Sequence, residues 1–207
     1  MLKRTIGRSL LTLLVITGLA GTINDSSISK KERKYAIVLM KETRDDAIRA
    51  TKDLSEAQLN YKAAPEKWSV KECMFHIAGA EKLLWGAFEG SMKGPANPEK
   101  RSEIKVTDEQ FVKMIQDRSS KFQAPEPIQP KNTGYNSITE AIEDFKKHRG
   151  DHIKHLKSST EDMRNHVVQM PFGWIDCYQL CLMIAAHSNR HTQQLNEVKA
   201  SAGFPVK

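Results

Sequence analysis

Most of the features that announce a function are scarce in this sequence. Cysteine occurs three times in 207 residues, at Cys73, Cys177 and Cys181. So small and odd a number excludes a disulfide-stapled scaffold. Cys177 and Cys181 stand four apart in a helical pattern, where the Cβ directions suit a bridge poorly. All three lie in apolar surroundings and read as small packing residues. The longest apolar run, residues 10–19 (LLTLLVITGL), falls well short of the roughly 18 residues that a membrane helix needs. Nothing alternates with period two for long, so no sheet is expected. Like-charge blocks are missing too. The basic residues are interleaved with acids, as in Lys30-Lys31-Glu32-Arg33-Lys34, which is the pattern of a solvated helix face. Nucleic-acid binding is therefore not expected.

What is present begins with an amino-terminal segment of distinct character. Lys3, Arg4 and Arg8 precede the apolar run, and Gly18, Ala20, Gly21 and Thr22 follow or close it. This order matches a secretory signal peptide over residues 1–22, with cleavage after Ala20 and Gly18 at −3. The expected protein is exported, periplasmic or secreted, with no stable membrane span after cleavage. An uncleaved amino-terminal anchor is the alternative. Loss of the three basic residues lowers the formal net charge from +7 to +4.

The rest of the chain carries helical periodicity. A first helix is expected over residues 29–54, with Ile37, Met40, Ala47 and Ile48 on one stripe, and residues 55–65 read as connector. Ser69 with Glu72 forms a capping box, opening a second helix that runs to residue 88. Thr107 starts a short helix that ends near residue 122, and three prolines (Pro125, Pro127, Pro130) keep the following stretch irregular. Ser137 with Glu140 forms another capping box for a helix over 137–158, and the last helix spans 175–200. The expected fold is all-α: a four-helix bundle over residues 29–202 with one extra short helix in a long crossover.

The chemistry concentrates in Ala186-His187-Ser188-Asn189-Arg190-His191 near the carboxyl terminus. Residues i and i+4 share a helix face, so His187 and His191 can aim two imidazoles at one point. His76 sits on the second helix. If these two helices pack face to face, the three imidazoles form a metal site with coordination positions left open, the arrangement of catalysis rather than of structural support. No glutamate stands between the pair as in H-E-x-x-H, which excludes a zincin-like protease.

Two segments, Pro65-Glu66-Lys67-Trp68-Ser69-Val70-Lys71-Glu72-Cys73-Met74-Phe75-His76-Ile77 and Ile184-Ala185-Ala186-His187-Ser188-Asn189-Arg190-His191-Thr192-Gln193-Gln194-Leu195, are similar in order and separation to the Trp-Ser/His-Ile and His-x-x-x-His…Gln motifs of the DinB/YfiT-like superfamily. The resemblance covers about 30–200. It implies a four-helix bundle in which His76, His187 and His191 hold a divalent metal, zinc or nickel foremost. Several branches of that superfamily are thiol-dependent S-transferases or isomerases; the signal segment departs from their pattern, because their thiols are cytosolic.

The expected function is that of an exported metal-dependent hydrolase or transferase acting on a small molecule. Metal-activated water is the proposed nucleophile, since such an ion lowers the pKa of its water toward ~7, and no catalytic side chain is assigned. The alternative is a non-catalytic metal- or ligand-binding bundle of the cell envelope. A homodimer through exposed helix faces is compatible with either. Cys73, three residues before His76, is a candidate fourth ligand or a packing residue. Gln194 reaches either a position behind His191 or solvent. His148, His152 and His155 form a second helical stripe, expected on a solvated face among charged neighbours. Trp174 is a candidate for the mouth of the site, and His166 is given no role.

Overall fold

A computed structural model describes residues 28–120 and 122–206; the expected signal segment lies outside them. Six helices are present among these residues: α1 (Lys30–Thr51), α2 (Glu56–Asn60), α3 (Val70–Lys93), α4 (Asp108–Gln116), α5 (Ile138–Ser158) and α6 (Cys177–Lys199). α1, α3, α5 and α6 form the bundle. No described helix is long and apolar enough to cross a membrane.

The starts of these helices are written in side-chain caps. Ser29, Ser55, Ser69 and Thr107 each accept from the third helical N–H, and the side chain at that third position accepts from the cap N–H in return. Both exchanged bonds satisfy donors that a helix start leaves orphaned. At Ser137 only half of the expected box forms. Its hydroxyl accepts from the N–H of Glu140, but the Glu140 carboxylate accepts from Asn136 instead. The connector expected at 55–65 contains the short helix α2, and α3 runs on to Lys93, past Gly90, because Gly94 supplies the stop.

Two expectations fail between α5 and α6. Val167–Met170 (β1) and Gly173–Asp176 (β2) pair as an antiparallel hairpin, with Val167 opposite Asp176 and Met170 opposite Gly173. Four residues per strand are too few to show alternation above noise. Gly173 adopts φ +130 at the turn, a region open to glycine. Ile175 and Asp176 are therefore strand, and α6 begins at Cys177, with Asp176 as its cap through a 2.8 Å bond from the N–H of Gln179. The short helix α4 ends at Gln116 rather than near 122.

α6 is the spine of the molecule. Residues from Cys177 to Ala186 are buried on every face, as befits an almost uninterrupted apolar run. It packs against α1, α3 and α4, while α5 packs against α1 and α3. α5 and α6 thus sit diagonally across the bundle, as do α1 and α3. The crossover from α4 to α5 runs over α3 through two short 3-10 turns, Glu126–Ile128 and Pro130–Asn132. This strap covers the α3 face that carries His76.

At the bundle centre, where the four helices meet, stands a fully buried cation. Arg149 on α5 donates to both oxygens of Glu81 on α3 (2.6 and 2.7 Å) and to the Met40 carbonyl and Thr43 hydroxyl on α1. It also reaches the Ile184 carbonyl and the Ser188 hydroxyl on α6. One guanidinium, whose five N–H donors radiate in a plane, thereby ties all four helices together. His152 donates from Nδ1 to Glu81 at 2.8 Å and stacks on Trp85, with ring centroids 4.0 Å apart. This corrects the expected solvated stripe: His152 is 1 % exposed. His148 and His155 turn instead to Asp144 and Glu161.

Candidate metal centre

Packing of α3 on α6 brings together the three histidines singled out in the sequence. Ring centroids lie 4.2 Å (His76 to His191), 4.5 Å (His187 to His191) and 5.0 Å (His76 to His187) apart. One ring nitrogen from each falls within 4.8 Å of the others, and no further His, Cys, Asp or Glu of the described residues joins the group. His76 and His191 are buried, and His187 keeps partial access to solvent.

The partners behind the rings set their tautomers. His76 Nδ1 lies 2.7 Å from the carbonyl of Ile128 in the strap. A carbonyl can only accept, so Nδ1 carries the proton. His191 Nδ1 lies 2.9 Å from Oε1 of Gln194, three residues on. The Gln194 amide is itself oriented by Arg118, whose Nη1 donates to the same Oε1 at 3.3 Å. Arginine cannot accept, so the oxygen must face it. His191 Nδ1 therefore also carries its proton. Both Nε2 atoms are left as bare lone pairs, and they face each other at 3.1 Å. Two lone pairs this close repel unless a cation sits off the line between them, at a point that both can address. The set fits a divalent metal: three neutral imidazoles, two of them held from behind by an acceptor.

Electrostatics keep the rings neutral. Burial lowers the His76 pKa to about 4, against the pull of the Ile128 carbonyl. Loss of hydration takes His187 to about 3, with His76, Arg190 and Arg149 adding to it. His191 is held well below its ordinary value by burial and by its two neighbours. Neutral imidazole is the form that ligates a metal.

A profile of the DinB superfamily matches residues 39–195, three-quarters of the sequence. The chain belongs to the DinB superfamily. Among curated proteins, the uncharacterized protein YuaE of Bacillus subtilis (strain 168) is 24% identical over 163 residues, covering 78% of this chain and 95% of YuaE. Among solved structures, YfiT from Bacillus subtilis superposes with a TM-score of 0.59 at 15% identity, covering 86% of this chain and 92% of YfiT. That protein is described as "a probable metal-dependent hydrolase with an unusual four-helix bundle topology". The likeness establishes the shared four-helix bundle fold.

Within this DinB bundle the other candidates sort themselves by position. Gln194 takes the place behind His191 rather than pointing to solvent. Cys73 lies outside the donor group, in a cluster with Leu195 and Val198, and burial pushes its thiol up to about 12. A thiol that stays protonated is a packing residue. Trp174 belongs to the hairpin, under Lys100, some 15 Å along α6 from His187 by helix rise. The indole at the site is Trp68 instead, with its centroid 4.8 Å from His76 and 5.9 Å from His191. Sequence reasoning missed Arg118 and Ile128 altogether, because both lie in the crossover, where no periodicity points to a partner.

Proposed function

We propose that this DinB protein is a metal-dependent enzyme that performs hydrolysis or group transfer on a small molecule, with His76, His187 and His191 as its ligands and zinc or nickel as the ion. The observation that carries this reading is the pair of bare Nε2 atoms opposed at 3.1 Å. A divalent ion there would supply Lewis acidity and lower the pKa of any water it carried. Three protein ligands, with no carboxylate or thiolate among them, leave room for a reacting group. Gln194 and the Ile128 carbonyl hold the rings in register, and Trp68 walls one side. The description of YfiT as a metal-dependent hydrolase supports the same class. We further propose that residues 1–22 export the chain to the periplasm or beyond, a reading that rests on their basic, apolar and small-residue order.

Metal analysis by mass spectrometry of untagged protein tests the reading, beside a His187→Ala/His191→Ala variant. About one tightly held divalent ion per chain, lost in the variant, is the expected result. Protein that purifies without metal and refuses added zinc, nickel and manganese would sink it, leaving a bundle that binds some other ligand or none.

A further inference from the structure

Beside the histidines lies a cleft of about 400 Å³, within the size range of small-molecule sites. Its walls are the loop before α3 and two pieces of the strap. Trp68, Phe122 and Pro130 give it apolar, largely flat surfaces. Trp68 is shared: the indole that lines the cleft is the one packed against His76 and His191. Phe122 is 79% exposed, with the Arg190 guanidinium 5.5 Å from its ring centre.

The charge of the cleft is uneven. Lys62, Lys67, Lys131, Glu66 and Glu72 line it. Glu72 is committed twice, to Lys62 at 2.7 Å and to the N–H of Ser69 at 2.8 Å. Lys67 and Lys131 form no ion pair among the described residues; the acids near them are Glu66 in the cleft and Glu197, whose carboxylate feels Lys67 without pairing with it. A second hollow, sharing Lys62, Glu72, Pro130 and Lys131, extends the groove past Lys71. Two cations near the histidines, Arg118 and Arg190, have acids of their own: Glu197 pairs with Arg118, and Asp117 and Glu197 lie in the field of Arg190. Arg118 approaches His191 through Gln194, and Arg190 reaches across to the strap at the Ser120 carbonyl. The three imidazoles bring no negative charge of their own, and Trp68 stands between them and the two unpaired lysines of the cleft.

We propose that this cleft binds a small organic anion with a flat apolar body, which rests on Trp68 and Phe122 while Lys67 and Lys131 hold its acidic group. The face of the molecule that meets the histidines rests on the metal-centre reading; its capture in the cleft does not. Anion and aromatic surface together select this class: a neutral molecule of the same shape would leave two lysines unanswered, and a small inorganic anion would leave the apolar walls wet.

Three probes of one shape test the assignment by calorimetry: 2-naphthoate, neutral 2-naphthamide and cationic 2-naphthylmethylamine. Each is titrated into metal-free protein, zinc-loaded protein and the His187→Ala/His191→Ala variant. Naphthoate is expected to bind all three forms, about tenfold more tightly than the amide, as two partly exposed ion pairs allow. The Lys67→Gln/Lys131→Gln variant should bring naphthoate down to the level of the amide and leave the amide unchanged. Trp68→Ala should weaken both. Equal binding of acid and amide, indifference to the lysine changes, or no naphthoate binding at millimolar concentration overturns the proposal. Naphthoate binding to a chain that refuses zinc would overturn the metal reading and leave the cleft standing. Zinc binding without naphthoate binding would do the reverse.

Discussion

Arg118 Nη1 donates to Gln194 Oε1 at 3.3 Å, and that same oxygen accepts from His191. Arg118 is anchored in turn by Glu197, through bonds of 2.8 and 3.1 Å. The guanidinium therefore decides which end of the Gln194 amide faces the imidazole. Replaced by methionine, it would let the amide turn its NH2 group toward Nδ1, favouring the tautomer whose lone pair points away from the other histidines. Arg118→Met is expected to weaken zinc binding about 10- to 100-fold, the usual cost of removing such a support, while the metal-free protein keeps its unfolding free energy within about 0.5 kcal/mol. Competition against a chromophoric chelator reads the first and urea denaturation the second. Unchanged zinc affinity would show that Gln194 holds its orientation unaided.

How far the sequence disclosed this arrangement depends on the range of each signal. Ser69 with Glu72, and Thr107 with Gln110, are local patterns, and the caps stand where they predict. His187 and His191 share a face by helix geometry alone; His76 joins them only if its helix packs face to face on theirs, and the resemblance adds the order of the two motifs. The hairpin was too short to register. Arg149 and His152 read as members of a charged stretch, Lys146-Lys147-His148-Arg149-Gly150-Asp151-His152, because spacing on one helix says nothing of a carboxylate waiting on another. Glu81, in an apolar stretch of α3, was the available sign of a buried ion pair. Arg118 and Ile128 act across a crossover, and no local rule connects them to a histidine 50 or more residues away.

Glu81 and Arg149 form a buried bidentate pair at 2.6 and 2.7 Å. Removing one partner strands the other charge in the core. Arg149→Met is expected to cost about 3–5 kcal/mol of unfolding free energy. The double change Glu81→Gln/Arg149→Met removes both charges, keeps an acceptor for His152, and should recover at least half of that loss. Urea denaturation of the wild type, Arg149→Met, Glu81→Gln and the double variant gives the coupling directly. A single variant that loses less than 1 kcal/mol would mean that water reaches the centre of the bundle.

Acid should destabilise the metal-free protein through its histidines. In the unfolded chain imidazole takes up its proton near pH 6.5; in the folded chain burial keeps His76 neutral down to about 4. Between these values the unfolded state binds more protons, so stability falls as pH falls. The penalty is absent above about pH 6.5 and grows to roughly 3 kcal/mol at pH 4 from His76 alone. Denaturation of metal-stripped protein at pH 7 and 4.5, beside His76→Gln, isolates this part. The variant should show a shallower loss, and an identical loss in both proteins would assign the acid sensitivity to other groups.

Gly79 stands one turn beyond His76, where the strap crosses α3. A Cβ at this position would lie 3.0 Å from Cγ2 of Thr133 and 3.6 Å from Cγ2 of Ile128. Thr133 cannot swing away freely, because its hydroxyl donates to the Pro130 carbonyl at 2.9 Å. Gly79→Ala should therefore lift the strap and draw the Ile128 carbonyl off His76. The expected loss is about 1–3 kcal/mol from overpacking, offset in part by the roughly 1 kcal/mol that alanine gains over glycine within a helix. Thr133→Ser removes the clashing methyl and keeps the hydroxyl bond. Combined with Gly79→Ala, it should restore both thermal stability and zinc affinity. Thermal denaturation and chelator competition on the two single variants and the pair decide the matter: if Gly79→Ala alone raises the melting temperature and leaves zinc affinity intact, the strap does not bear on His76 through this contact.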